Sequence, residues 1–154
     1  MDLSTERLRL RRWTDADLDA LHRIWSDPKT IWWGHCETLE RTRTILQKIH
    51  EQHDWWWAVE REGEIIGDVF LRPSQYHEGV LELGYHFVST SWGHGYATEA
   101  VRAVLSTRAG KPVEATIVPE NERSRSVARK LGFTTNRQIM HSGRLHDLWV
   151  LTTA

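Results

Sequence analysis

Residues 89–100 read STSWGHGYATEA. Gly93 and Gly95 flank His94, and a helix-like pattern starts at Tyr96, after the apolar run VLELGYHFV at 80–88. Strand, glycine loop and helix in succession offer bare backbone N–H groups and a positive helix end to an anion, so this stretch is a candidate phosphate cradle. Two side chains in the preceding run could move protons. Glu82 is an acid inside an otherwise apolar strand, and His86 follows four residues on, on the same face of an extended chain. Asn121 and Ser124 open a later helix, where either can bond a polar ligand or simply cap the helix. His50 and His53 stand three apart on a helix with no third ligand at a sensible spacing, so no metal is expected there. On spacing alone His141, His146 and Asp147 could form a metal set. Cys36, the one cysteine, has no His/Asn constellation to make it a nucleophile.

The elements that must position these groups follow from pattern. ERLRLRRW (6–13) alternates as a half-exposed strand. Thr14 caps a helix with Leu18, Leu21, Ile24 and Trp25 on one face, ended by Asp27-Pro28. A second helix covers 38–53. Strands at 55–62 and 64–73 flank a Glu62-Gly63 turn and read as a hairpin, and 80–88 is a further strand. The helix after the glycine loop stops at Gly110 and Pro112. Strand 113–118, a helix from Asn121 to Gly132, and strands 133–141 and 144–153 around Ser142-Gly143 complete the chain. The order β-α-α-β-β-β-α-β-α-β-β, with no linker or repeat, predicts one α/β domain over 1–154 with a mixed sheet.

Bulk properties narrow the function. The 154 residues are 40% hydrophobic and 27% charged, which predicts a packed core. A net charge of −1 argues against a dedicated nucleic-acid binder, which needs a basic excess. No apolar run approaches the ~18–20 residues of a membrane span, and MDLSTERLRLRRW has no signal-peptide core. A lone cysteine fits a reducing compartment, so the expected location is cytoplasmic. The nine tryptophans include Trp32–Trp33 and Trp55–Trp56–Trp57. The triplet reads first as sheet packing; the pair reads equally as packing or as an aromatic wall for a substrate.

The phosphate can be narrowed. A P-loop needs a lysine and a hydroxyl residue after its glycines, and none stands in that spacing. A dinucleotide loop needs a third small residue, which falls on Thr98, and belongs early in a parallel array, not after a hairpin. Trp92-Gly93-His94-Gly95-Tyr96-Ala97 instead resembles the Gln/Arg-x-x-Gly-x-Gly/Ala loop of the GNAT acyltransferase superfamily, with Trp92 in place of Gln or Arg. Asn121, Ser124 and Leu131-Gly132-Phe133 match its second signature. TERLRLRRW, LELGYHF, GYATEA and GRLHDLWVL look like the branch containing the ribosomal-protein N-terminal alanine/serine acetyltransferases.

The resemblance implies the GNAT fold, a mixed and mostly antiparallel sheet of about seven strands with helices on both faces. It implies acetyl-CoA as cosubstrate, in a cleft where strands 80–88 and 113–118 splay apart. Backbone of Phe87 and Val88 would pair with the pantetheine amides. Backbone of Gly93, His94, Gly95, Tyr96, Ala97 and Thr98 would hold the pyrophosphate, and Asn121 the pantetheine arm. Arg125, Arg129 and Lys130 could meet the 3′-phosphate or form a solvated face. Glu82 would be the base, with His86 second. The family's proton-donating tyrosine falls on Ala128, which leaves Ser124 to hydrogen-bond the departing sulfur; a strand N–H such as that of Val88 would polarise the carbonyl. The acceptor would be a peptide N-terminus or a small amine, lined by Trp32, Trp33, His35 and Tyr85, with Tyr76, His77 and His141 nearby. An α-amine with a pKa of about 8 costs only ~1 kcal/mol to deprotonate at pH 7, and a lysine amine ~4–5 kcal/mol. A homodimer follows by analogy alone. The rival reading is a non-catalytic acetyl-CoA-binding regulatory domain.

Overall fold

The structure is a computed structural model that describes residues 1–32, 36–52 and 55–152. In chain order the strands are β1 (Leu3–Ser4), β2 (Arg9–Arg11), β3 (Trp56–Arg61), β4 (Glu64–Pro73), β5 (Leu81–Phe87), β6 (Val113–Ile117), β7 (Thr134–His141) and β8 (Arg144–Leu151). The helices are α1 (Leu18–Trp25), α2 (Leu39–Gln52), α3 (Tyr96–Leu105) and α4 (Glu122–Lys130). All strands join one sheet in the order β1-β2-β3-β4-β5-β6-β8-β7.

The sheet has eight strands because a short strand at Leu3–Ser4 precedes the run expected at 6–13, within which Arg9–Arg11 forms β2. Thr5 folds the chain back between them. Its N–H donates to the Leu8 carbonyl at 2.9 Å, and its hydroxyl oxygen accepts from Leu8 N–H at 3.0 Å. A threonine side-chain turn replaces the usual Gly or Asn signal, so nothing in the sequence marks a strand before residue 6. Thr14 does begin the next helix, first as a short 3-10 turn over Asp15–Asp17. The Asp17 carboxylate takes the Thr14 N–H at 2.7 Å and two nitrogens of Arg11 at 2.8 and 3.0 Å.

β4 is the spine, buried on both faces from Ile65 to Leu71. α1 packs on one face, where Trp25 Nε1 donates to Asp68 at 2.8 Å, and is joined to α2 by a 3.1 Å contact between His22 and Thr42. α3 packs on the other face with Ala100, Val101 and Val104 fully buried. Each buried valine contributes ~1.5–3 kcal/mol of transfer free energy.

One joint is incomplete. β4 and β5 pair antiparallel along all of β5, but β5 and β6 pair in parallel only at Leu81↔Val113 and Glu82↔Glu114. Beyond Glu82 the two strands diverge. The start of α4 stands across the gap, with Tyr85 Oη donating to the Ser124 carbonyl at 3.0 Å. Among the described residues no helix is long and apolar enough to cross a membrane.

Candidate active site

The glycine loop is shaped by backbone dihedrals. Gly95 is the N-cap of α3 at φ 78°, and Gly93 has φ 83°. Both lie in the left-handed region that a side chain disfavours. The first bond of the α3 ladder runs from Glu99 N–H to the Gly95 carbonyl at 3.1 Å, which leaves the N–H groups of Tyr96, Ala97 and Thr98 outside that ladder at the positive helix end. No atom lies within 4 Å of a Cβ placed on Gly93, so the approach to the loop is open. This is a cradle of a kind that fits a pyrophosphate.

A network invisible in the sequence holds the loop in place. Arg7 donates through Nη1 to the His94 carbonyl at 2.9 Å and through Nε to Glu99 at 2.7 Å. Thr5 Oγ1 and Arg7 N–H also donate to Glu99, at 2.6 and 2.9 Å. Arg7 stacks 4.6 Å over the Tyr96 ring, against which His94 also lies. Burial alone would raise the Glu99 carboxyl, but the bonds from Thr5 and Arg7 prevail and hold it below the ordinary carboxylate range. The N-terminal hairpin is thus a clasp on the glycine loop.

From the loop a cleft of about 1210 Å³ runs into the gap between β5 and β6. Hydrogen-bond parity decides which groups of β5 face it. Val88 N–H donates to the Ile66 carbonyl at 2.9 Å, across to the β4 side, whereas Leu81 N–H donates to Pro112 at 2.9 Å, toward β6. Antiparallel strands turn alternate residues in opposite directions. The backbones of Tyr85 and Phe87 therefore face the gap, and the Val88 N–H, expected to polarise a carbonyl, is engaged elsewhere. The Phe87 carbonyl accepts from Trp92 Nε1 at 3.0 Å and Thr30 Oγ1 at 3.3 Å. On the far bank Asn121 Oδ1 accepts from Ser124 N–H at 3.3 Å, a helix cap at the edge of the cleft. Burial, partly opposed by the bond to Ser124, raises the Tyr85 hydroxyl well above its ordinary value. Thr98 and Lys130 line the cleft, while Arg125 and Arg129 bond Glu122 at 3.5 and 2.7 Å.

The opposite face of β5 carries the titratable groups. Glu82, Gly84 and His86 stand across from Arg72, Phe70 and Asp68. Glu82 is only 4% exposed and accepts from Arg72 Nε at 3.2 Å. Asp68, fully buried, bonds His86 Nδ1 through one oxygen and Trp25 Nε1 through the other, both at 2.8 Å. A carboxylate on Nδ1 fixes the ring orientation and presents its Nε2 edge on the other side. A Cβ on Gly84 would fall 2.2 Å from the Phe70 ring, so only glycine lets that ring lie over the strand.

Around these groups the aromatic residues sort by strand parity. Trp57 is buried in the core, while Trp56 lines the cleft with Trp25 at 5.6 Å and Phe70 at 5.2 Å. Trp32 also lines it; Trp33 and His35 lie outside the described residues. At the mouth the Tyr76 hydroxyl meets His141 Nδ1, and the His141 and His146 rings are 5.0 Å apart. Burial, then the neighbouring His146, lowers the His141 pKa below the ordinary imidazole value. Asp147 instead accepts from Gln138 at 3.1 Å, and among the described residues no group of three or more His, Cys, Asp or Glu is placed to hold a metal ion.

A glycine loop before α3, a V-shaped gap between two parallel strands and the Asn121-capped α4 are joined in one cleft, and residues 7–134 match the family model described as acetyltransferase (GNAT) domain. The chain belongs to the GNAT acetyltransferase family. Its relatives include the uncharacterized N-acetyltransferase YoaA of Bacillus subtilis (strain 168), 30% identical over 155 residues, with 90% of this chain and 88% of YoaA covered. A GNAT-family acetyltransferase structure from Bacillus anthracis superposes with a TM-score of 0.82 at 26% identity, covering 97% of this chain and 96% of that one. RimJ of Mycobacterium smegmatis, in complex with CoA-disulfide, shares the fold at a TM-score of 0.72 and 23% identity, covering 94% of this chain and 81% of its own. GNAT enzymes use acetyl-CoA, and the loop geometry here fits that cosubstrate.

Several contributors have no sequence signal. Arg7 and Glu99 are 92 residues apart, and Asp68 and His86 lie on different strands. Arg72 and Glu82 stand on consecutive strands whose pairing is set by the sheet register.

Proposed function

We propose that this GNAT chain is an N-acetyltransferase that moves the acetyl group from acetyl-CoA to a primary amine by direct attack on the thioester. The carrying observation is the two-sided β5. One edge opens on the gap that leads to the anion loop, and one face presents Glu82 and His86 beside an aromatic wall.

In this reading the N–H groups of Gly93 to Thr98 hold the diphosphate, the gap-facing backbone of Tyr85 orients the pantetheine arm as an added strand would, and Asn121 bonds it from the far bank. Bound acetyl-CoA supplies an activated acyl group and a thiolate leaving group. The amine nitrogen bonds to the acyl carbon, the carbon–sulfur bond breaks, and the amine's surplus proton passes to Glu82. Phe87 N–H, by its direction, polarises the carbonyl; Ser124 Oγ hydrogen-bonds the departing sulfur.

The Asp68–His86 pair favours a second assignment of the base, because Arg72 already engages Glu82. The acceptor side, with Trp25, Trp32, Trp56, Phe70 and the Arg72 guanidinium, suits a single neutralised amine on a peptide N-terminus or a small aromatic molecule better than a polycation. The experiment is CoA release across a panel of peptide N-termini, lysine peptides, aromatic amines and polyamines. Turnover on α-amines or aromatic amines is expected. Tight acetyl-CoA binding with no turnover on any acceptor would make the chain a regulatory acetyl-CoA sensor and overturn the enzyme reading.

A further inference from the structure

Trp92 occupies the motif position where GNAT loops carry Gln or Arg, and its surroundings show what takes over. Nε1 of Trp92 donates to the carbonyl of Phe87, the last residue of β5, at 3.0 Å. The same ring carries the Arg123 guanidinium 3.9 Å from its centre. Arg123 belongs to the first turn of α4, on the opposite bank of the cleft, so the two contacts span the gap beside Gly93. Arg123 is exposed, and among the described residues no carboxylate pairs with it, since neighbouring Glu122 is engaged by Arg125 and Arg129. A guanidinium stacked on an indole uses its face and keeps its N–H edge for a second partner.

Resting on the acetyl-CoA reading above, we propose that Arg123, seated on Trp92, is the cation that meets the diphosphate of the cofactor. The charge that the motif's first residue can supply comes here from the other bank, and Trp92 is the positioning residue that holds it. The fork geometry of guanidinium suits two phosphate oxygens, and the loop N–H groups take the remainder. The cradle is then closed from both sides, not built on α3 alone.

Calorimetric titration tests this with acetyl-CoA and with dephospho-CoA, which keeps the diphosphate and lacks the 3′-phosphate. Arg123→Gln, at an exposed site, is expected to weaken both ligands by the same factor of about ten. Trp92→Phe keeps an aromatic seat and should cost less than about threefold; Trp92→Ala should match Arg123→Gln, and the double variant Trp92→Ala/Arg123→Gln should be no weaker than either alone. Unchanged affinity in Arg123→Gln, or a loss confined to acetyl-CoA with dephospho-CoA unaffected, overturns the assignment while leaving the donor reading intact. A wild-type protein that binds neither ligand overturns both.

Discussion

The two sides of β5 are built by different means. Toward β6 the cleft is mostly main chain: left-handed glycines, helix-end N–H groups and a strand edge without its neighbour. Toward α1 it is side chains: Glu82 on Arg72, His86 on Asp68, and Trp25, Trp56 and Phe70 around them. On the proposed reading, the main-chain side would recognise what every donor molecule shares, a diphosphate and two amides. A side-chain site can be altered residue by residue without disturbing that recognition. The fold can thus hold its donor constant while the acceptor changes.

The contrast can be broken from either side. The largest effect is expected from Glu82→Gln: kcat should fall by roughly 10²–10⁴ while acetyl-CoA affinity stays within about threefold. If kcat is retained and His86→Gln loses it instead, the base is His86. Gly95→Val should weaken acetyl-CoA by about a hundredfold, since a β-branched residue at φ 78° costs about 1–3 kcal/mol and displaces the N–H groups; equal affinity in calorimetry would mean the loop does not bind the donor. Asp68→Asn should lower turnover about tenfold with acetyl-CoA binding preserved, and adding His86→Gln to it should cost less than His86→Gln does alone, because the two act as a pair. A merely structural Asp68 would lower the melting temperature and leave the His86→Gln effect at its full size.

The smallest effect concerns the clasp. Glu99 is held below its unfolded pKa, so it stabilises the fold above about pH 4.3 and loses that contribution as pH falls through its folded value. With Arg7 41% exposed, the contribution is screened to about 1 kcal/mol. Glu99→Gln should therefore lower stability by about that much at pH 7 and by little at pH 3, as read by denaturant midpoints at both pH values. Equal losses at the two would remove the ionic explanation.

What could be read beforehand follows the same division. The turn at Gly93 and Gly95 and the cap at Asn121 are legible because dihedrals and caps are local properties. Thr5 hid the extra strand because its turn is made by a hydroxyl, not by Gly or Asn. The choice between Val88 and Phe87 as the gap-facing N–H depends on parity, and a shift of one residue reverses it; register is a property of the pair of strands. Trp55–Trp56–Trp57 is one word in the sequence, yet alternate faces send Trp57 into the core and Trp56 into the cleft. Arg7 on Glu99 and Asp68 on His86 require the whole sheet to be assembled first.

The two-residue joint between β5 and β6 has a mechanical meaning. The sheet is nearly two plates, β1 to β5 and β6 with β8 and β7, riveted at Leu81–Val113 and Glu82–Glu114. A cofactor lying in the notch as an extra strand would act as mortar, taking up the gap-facing backbone of Tyr85 and the N–H of Phe87. Folding stability would then rise with the acetyl-CoA concentration, by RT ln(1 + [L]/Kd), or about 2.7 kcal/mol at a hundredfold excess over Kd. Slowed amide exchange at those two residues would be its direct signature.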